Sequence, residues 1–372
     1  MKFGINLFPT VGPHDQAPVD YYDHALSIAV YAEELGYHHV KTVEHYFFEY
    51  GGYSPDPTTF LTAVAARTER IRLITGAVVP AFDHPIKLAA RLAVLDNISH
   101  GRLDVGVARG FLPDEFAAFQ LPLDDSRPRF DATVAAIVEL WTGSDVTVDN
   151  GFHSFGPVTL QPRPFQSPHP RILVATAITP ESAERAGAAG YGLLLVPSIN
   201  PREKVQDIIA RYRAAREAAG FDPATAEVHL SYSSFLADDA GDARSLGEQF
   251  ANANHRALAR AVSGWSTARS TQYEGYEKIV DRVAGGTFAA QLAADKTIVG
   301  TPAQVVDQIA RIREAFGDVT ISLQTPPSTA PEAVVRRSVQ LFAEDVLPHF
   351  STPVALDGTT PGVAAAAVAP GR

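Results

Sequence analysis

Directly after a short β-prone run, His39–Val43, the chain reads Glu44-His45-Tyr46-Phe47. A histidine set just past a strand, beside a carboxylate that could orient its ring, is a candidate for moving protons near neutral pH. A purely structural Glu–His pair would look the same. Val107-Ala108-Arg109-Gly110-Phe111 offers a planar guanidinium suited to phosphate, followed by a glycine that lets a ligand approach the backbone. Thr176-Ala177-Ile178-Thr179-Pro180-Glu181-Ser182 reads as an N-cap threonine, a proline at the first helical position and a helix start whose free amides can bind phosphate. Arg109 and the Thr179 cap follow adjacent predicted strands, so one phosphate could lie between them. A dinucleotide fingerprint is missing, because Gly190-Tyr191-Gly192 precedes a strand and lacks a third glycine. There is no Gly-x-Ser-x-Gly elbow and no Walker loop, and His14, His24, His84 and His100 lack metal-ligand spacing. Hydrolase, nucleotidase and metal readings therefore lose ground.

Those loops need a scaffold. Apolar runs at Lys2–Phe8, His39–Val43, Ile71–Gly76, Leu103–Val107, Arg171–Ala175, Gly192–Val196, Val228–Leu236 and Val319–Leu323 predict strands, each followed by a turn and a helix-period segment. In the first helix Ala25, Ile28, Ala29, Ala32 and Leu35 form one apolar stripe, closed by Gly36. Eight such units in one chain predict an α/β fold closed as a (β/α)8 TIM barrel, whose reactive groups sit on the loops after the strands. Two interruptions depart from the alternation. Residues 145–170, rich in Pro and Gly, predict a hairpin inserted before the fifth strand. Residues 264–297, after the seventh strand's helix, predict a lid with Trp265, Tyr273 and Tyr276 as apolar closers. The barrel is expected over 1–350 and a disordered tail over 351–372.

Composition narrows the partners. The 372 residues are 46% hydrophobic and 20% charged, which suits a large core. Thirty-one Lys and Arg against 42 Asp and Glu give a formal charge of -11, a poor match for nucleic acid or an anionic membrane. With no cysteine, thiolate nucleophiles, iron–sulfur clusters and cysteine-ligated zinc are excluded. The N-terminal apolar run is broken by Pro9 and too short for a signal segment, and no run of about 18 uncharged apolar residues occurs, so a cytoplasmic location is expected.

Several segments resemble the bacterial luciferase-like flavin monooxygenases, in one order along residues 1–350. They are Met1-Lys2-Phe3-Gly4, Glu44-His45-Tyr46-Phe47, Ala93-Val94-Leu95-Asp96-Asn97-Ile98-Ser99-His100-Gly101-Arg102-Leu103, Ala108-Arg109-Gly110, Val299-Gly300-Thr301-Pro302 and Leu341-Phe342-Ala343-Glu344-Asp345-Val346-Leu347-Pro348. The resemblance implies reduced FMN delivered by a separate flavin reductase, O2 as co-substrate and a C4a-(hydro)peroxyflavin. It places the catalytic histidine at His45, the flavin-phosphate arginine at Arg109, and the rest of the flavin site at Gly76, Ala77, Thr176, Ala177, Thr179, Glu181 and Ser182. A non-prolyl cis peptide is implied at Gly76–Ala77. Phe8, Tyr46, Phe111, Glu115 and Trp265 are the expected substrate-side residues. The chain departs from luciferase itself at Tyr46, where that pattern has a second histidine, at Ala108, where it has a cysteine, and at Thr176 and Ala177, where it has Glu and Ser. Light emission is accordingly not implied.

The expected reaction is Baeyer–Villiger-type insertion or hydroxylation of a small organic or natural-product substrate. Hydride transfer with the deazaflavin F420 on the same barrel is one alternative. A catalytically silent flavin-binding partner subunit is another, disfavoured by the presence of both His45 and Arg109. A homodimer through the helices following strands two and three is expected by analogy.

Overall fold

The computed structural model describes residues 1–325 and 330–350. Its strands are β1 Lys2–Asn6, β2 His39–Thr42, β3 Arg72–Val78, β4 Leu103–Val107, β5 Val146–Asp149, β6 Ser154–Val158, β7 Arg171–Ala175, β8 Gly192–Leu195, β9 Val228–Leu236, β10 Ile298–Gly300 and β11 Thr320–Gln324. Eight of these pair in parallel in the cyclic order β1-β2-β3-β4-β7-β8-β9-β11 and back to β1. This is the closed barrel the alternation predicts. β5 and β6 form the antiparallel hairpin inserted before the fifth barrel strand. β10 lies outside the strands that the sequence predicts. It is three residues long, runs straight into Thr301-Pro302, and pairs with the far end of β9. The expected tail at 351–372 lies outside the described residues. Among the described residues no helix is long and apolar enough to cross a membrane.

Alternation along each strand divides two cores. On β1, Phe3 and Ile5, with Leu7 just beyond, point outward and join the layer between strands and helices, where Ala25, Ile28, Ala29 and Ala32 of the helix Pro18–Glu34 are fully buried. Gly4 and Asn6 are left facing the interior. There Ile74, Leu173 and Leu194 form a small apolar plug. Polar groups fill much of the rest. The His39 imidazole hydrogen-bonds Ser322 Oγ through Nε2 at 2.7 Å, and a Cβ on Gly4 would fall 2.4 Å from that ring, so β1 needs glycine there. The N-terminal mouth is closed by ion pairs: Arg72 donates twice to Asp104, at 2.8 and 2.6 Å, and Arg171 and Lys2 converge on Glu227. That leaves the C-terminal mouth for chemistry.

The segment His100-Gly101-Arg102 has a structural task. His100 and Gly101 take positive φ, which turns the chain out of the helix Pro85–Ile98. Buried Arg102 then donates to the carbonyls of Ser99, Ile71, Ala65 and Thr68 and to Thr68 Oγ1. An Arg102→Leu variant strands several buried carbonyls at once, each costing about 1–3 kcal/mol. We expect a loss of about 3 kcal/mol or more in urea unfolding, and an unchanged midpoint would refute the assignment.

Candidate active site

Every barrel strand, or the residue just past its end, contributes to a cavity of about 220 Å3 at the C-terminal mouth. Phe8, His45, Gly76, Ala77, Arg109 and Phe111 all line it, as do Thr176, Ala177, Thr179 and Ser182. Residues predicted to share a site thus meet from five separate strand ends. A second cavity of about 700 Å3 shares Ser198, Ile199, Ser233, Asn254, Leu258 and Ile279 as walls.

His45 follows β2 and is 9% exposed. Its Nδ1 lies 3.1 Å from Glu115 Oε1, an oxygen that also accepts from the Tyr46 backbone N–H at 2.8 Å. Glu115 is fully buried in the first turn of the helix Pro113–Ala118, and its Oε2 has no partner among the described residues. A carboxylate at Nδ1 puts the proton there and leaves Nε2 as the free ring nitrogen. The imidazole is surrounded by Phe8, Tyr50 and Phe111, with ring centroids 6.1, 5.1 and 5.9 Å away.

The geometry corrects three sequence-based placements here. The carboxylate that orients His45 is Glu115, seventy residues on, not the adjacent Glu44. Glu115 lies behind the histidine rather than in the cavity wall. Tyr46 points away from the cavity: its hydroxyl donates to Glu44 Oε1 at 2.8 Å and its ring packs edge-on against Phe119 and Phe82. Glu44 itself lines the cavity and accepts from Val79 N–H through Oε2. Removal from water pushes its carboxyl up to about 8. Its folded value lies above the unfolded one, so the stability it contributes is complete at low pH and is lost as pH rises towards 8. Glu44→Gln, neutral throughout, should gain thermal stability relative to wild type between pH 6 and pH 9. Parallel melting curves at the two pH values would contradict this.

Further round the barrel, Arg109 and Arg127 face the same cavity. Arg127 Nη2 donates to Ser182 Oγ at 2.7 Å, and burial followed by the nearby Arg109 charge lowers its pKa. Arg109 Nη1 donates to Gln272 O at 2.7 Å and its guanidinium stacks 3.9 Å over the Tyr273 ring. Among the described residues neither arginine has a carboxylate within 4.0 Å. Two neighbouring guanidiniums beside the start of the helix Pro180–Ala188 have the chemistry to hold an anion. Thr179 occupies the N-cap position there, but its side chain makes no cap bond, and exposed Glu181 does not line the cavity. Arg127 escapes a reading of the sequence because it stands as an ordinary first-turn residue of the helix Ser126–Thr142.

Residues 262–293 fold into short turns and helices that sit on this wall. Trp265 is 1% exposed, and its Nε1 donates to Phe111 O; Tyr273 OH donates to Gly110 O at 2.7 Å. Trp265 therefore supports the wall from behind, while Tyr276 and Ile279 face the cavity. Gly76–Ala77 is a cis peptide.

The profile of the luciferase-like monooxygenase family matches residues 1–319. The solved structure of monooxygenase RslO1 from Streptomyces bottropensis is 53% identical, covering 94% of this chain and 100% of that one, with a TM-score of 0.84. The oxygenase component of the flavin-dependent trigonelline monooxygenase of Acinetobacter baylyi is 28% identical over 94% of this chain and 96% of its own. The oxygenating constituent of 3,6-diketocamphane monooxygenase from Pseudomonas putida, solved with FMN, is 19% identical over 95% of this chain and 99% of that one, and at a TM-score of 0.80 shares the fold. With the closed barrel and a profile matched over most of its length, this chain belongs to the luciferase-like monooxygenase family.

Proposed function

We propose that the chain is the oxygenase component of a two-component system, taking reduced FMN from a separate reductase and using O2 to oxygenate a small organic substrate. The observation that carries this is the pair Arg109 and Arg127, with no carboxylate within 4.0 Å of either among the described residues, lining the same cavity as His45. The residues fit FMN: the guanidiniums, Ser182 and the helix start at 180 would hold the phosphate, and Gly76, Ala77 and the apolar residues Val174 and Leu194 offer room for a flat ring system. Bound reduced flavin supplies the two electrons with which O2 is split between product and water.

The chain's own work is positioning, proton handling and exclusion of water. Phe8, Tyr50 and Phe111 keep solvent from His45, which suits oxygen chemistry that water would quench. With Nδ1 committed to Glu115, Nε2 is the atom at which a proton is taken from or returned to the reacting oxygen or the substrate. The adjoining 700 Å3 cavity gives the organic substrate its place. Assembly as a homodimer through the helices Pro57–Ala65 and Pro85–Ile98 belongs to the same proposal, since Val94 and Ile98 stand exposed on the second of them.

The experiment is an anaerobic titration with reduced FMN followed by addition of O2 and a panel of ketones and phenols, with products identified by mass. Saturable FMN binding and incorporation of one 18O atom from O2 support the reading. Binding of reduced F420 with oxygen-independent reduction of a carbonyl would replace it.

A further inference from the structure

The floor of the cavity holds a cation that the reactions above do not use. Lys41 lies in the middle of β2 and is 2% exposed, with Nζ donating to Ser231 Oγ on β9. Among the described residues no carboxylate lies within 4.0 Å of it. A buried ammonium with one neutral partner is costly, and burial alone draws its pKa down to about 7. The placement is nonetheless built into the barrel. A Cβ on Gly76 would fall 2.3 Å from Lys41 Cγ and 2.2 Å from Cδ, so β3 makes way for the lysine stem.

Asn6 is the register neighbour of Lys41 across β1 and β2. It is 3% exposed, its Oδ1 has no hydrogen-bond partner among the described residues, and both residues line the cavity. An ammonium without an anion and an amide oxygen without a donor stand side by side. Their complement is a ligand edge carrying negative charge next to an N–H. The pyrimidine edge of a reduced flavin has that form, with charge spread over N1 and the C2 carbonyl and a proton on the adjacent N3. Oxidised flavin presents the N–H without the charge. Arg109 and Arg127 are already accounted for by the phosphate, and β2 lies three strand spacings from β7, about 14 Å along the wall. A ribityl phosphate joined to three fused rings covers that span.

Resting on the reading of this cavity as a flavin site, we propose that Lys41 is the counter-ion for the anionic N1–C2 edge of reduced flavin and Asn6 Oδ1 the acceptor for its N3–H. The cavity then selects reduced over oxidised flavin, which is the form an oxygenase must capture from its reductase.

The test is anaerobic equilibrium binding of reduced FMN, and aerobic binding of oxidised FMN, to wild type, Lys41→Met and Lys41→Gln. Methionine keeps the straight stem and glutamine keeps a polar end for Ser231, so at least one variant retains the packing. Wild type should prefer the reduced form, and both variants should lose about ten- to hundredfold of that preference, the worth of one buried charge-assisted contact. Oxidised FMN should bind all three proteins within about threefold, and the reduced flavin bound to the variants should show the absorbance of its neutral rather than anionic form. An unchanged preference, or equal weakening of both forms, overturns the role of Lys41 while leaving the flavin site standing. Failure of wild type to bind either form overturns the flavin reading itself, and this assignment with it.

Discussion

His45→Gln is expected to leave the barrel folded and FMN bound but to lower oxygenation turnover by about 100- to 10,000-fold, the span typical of losing a positioned acid/base group. Glutamine is close in length but cannot exchange a proton near neutral pH. The buried carboxylate at Nδ1 fixes which nitrogen is free, so Glu115→Gln should act through the histidine rather than on the flavin. Its amide oxygen can still accept from Tyr46 N–H, which spares the local fold. A loss of about 10- to 100-fold in turnover is expected, with a displaced pH profile and an unaltered reduced-FMN Kd. Stopped-flow oxidation with substrate present measures both variants. If His45→Gln turns over at the wild-type rate, the histidine is structural and proton movement must be assigned elsewhere.

Arg109→Ala and Arg127→Ala should each weaken reduced FMN about 100-fold, as expected for removing a charge-assisted phosphate contact worth about 2–3 kcal/mol. The double variant should fall short of the product of the two, because both guanidiniums address one anion. Riboflavin, which lacks the phosphate, provides the control: its affinity should be nearly the same for wild type and all three variants. Equal losses for riboflavin and FMN would mean that the arginines support the wall rather than the phosphate. Raising the salt concentration should narrow the FMN difference much less than for an exposed pair, since Arg127 is partly buried beside Ser182.

The sequence carries the barrel because each strand and helix states its period locally. The outward alternation of Phe3, Ile5 and Leu7 and the stripe of Ala25, Ile28, Ala29 and Ala32 are legible without any partner. Site residues lying directly past strands, namely His45, Arg109 and Thr176, are legible for the same reason. What escapes is whatever depends on which distant segments touch. Glu115 pairs with His45 across seventy residues, whereas the neighbouring Glu44 offers itself first to a linear reading. Tyr46 is adjacent to His45 in the chain, yet successive residues diverge as the strand ends, and its ring goes to Phe82 and Phe119. Lys41 did leave a signal, as a charged residue in the middle of an apolar strand, although only the closed barrel reveals that it points inward towards Ser231. β10 is too short for any periodicity to register.

Arg109 serves two masters. Its Nη1 holds the Gln272 carbonyl and its face rests on Tyr273, so the segment after the helix Ala240–Ala261 aims the guanidinium at the cavity. One of five N–H donors is spent in this way and the others stay available to an anion. Asp124 fastens the same segment from the far side through Ser270 and Thr271. If Arg109 holds the cofactor's anion as proposed, cofactor capture and the ordering of this segment are thermodynamically linked: whatever free energy the segment lends to Arg109, the bound anion returns to the segment in equal measure. Arrival of that anion would in this way tighten the segment against the wall with no further signal.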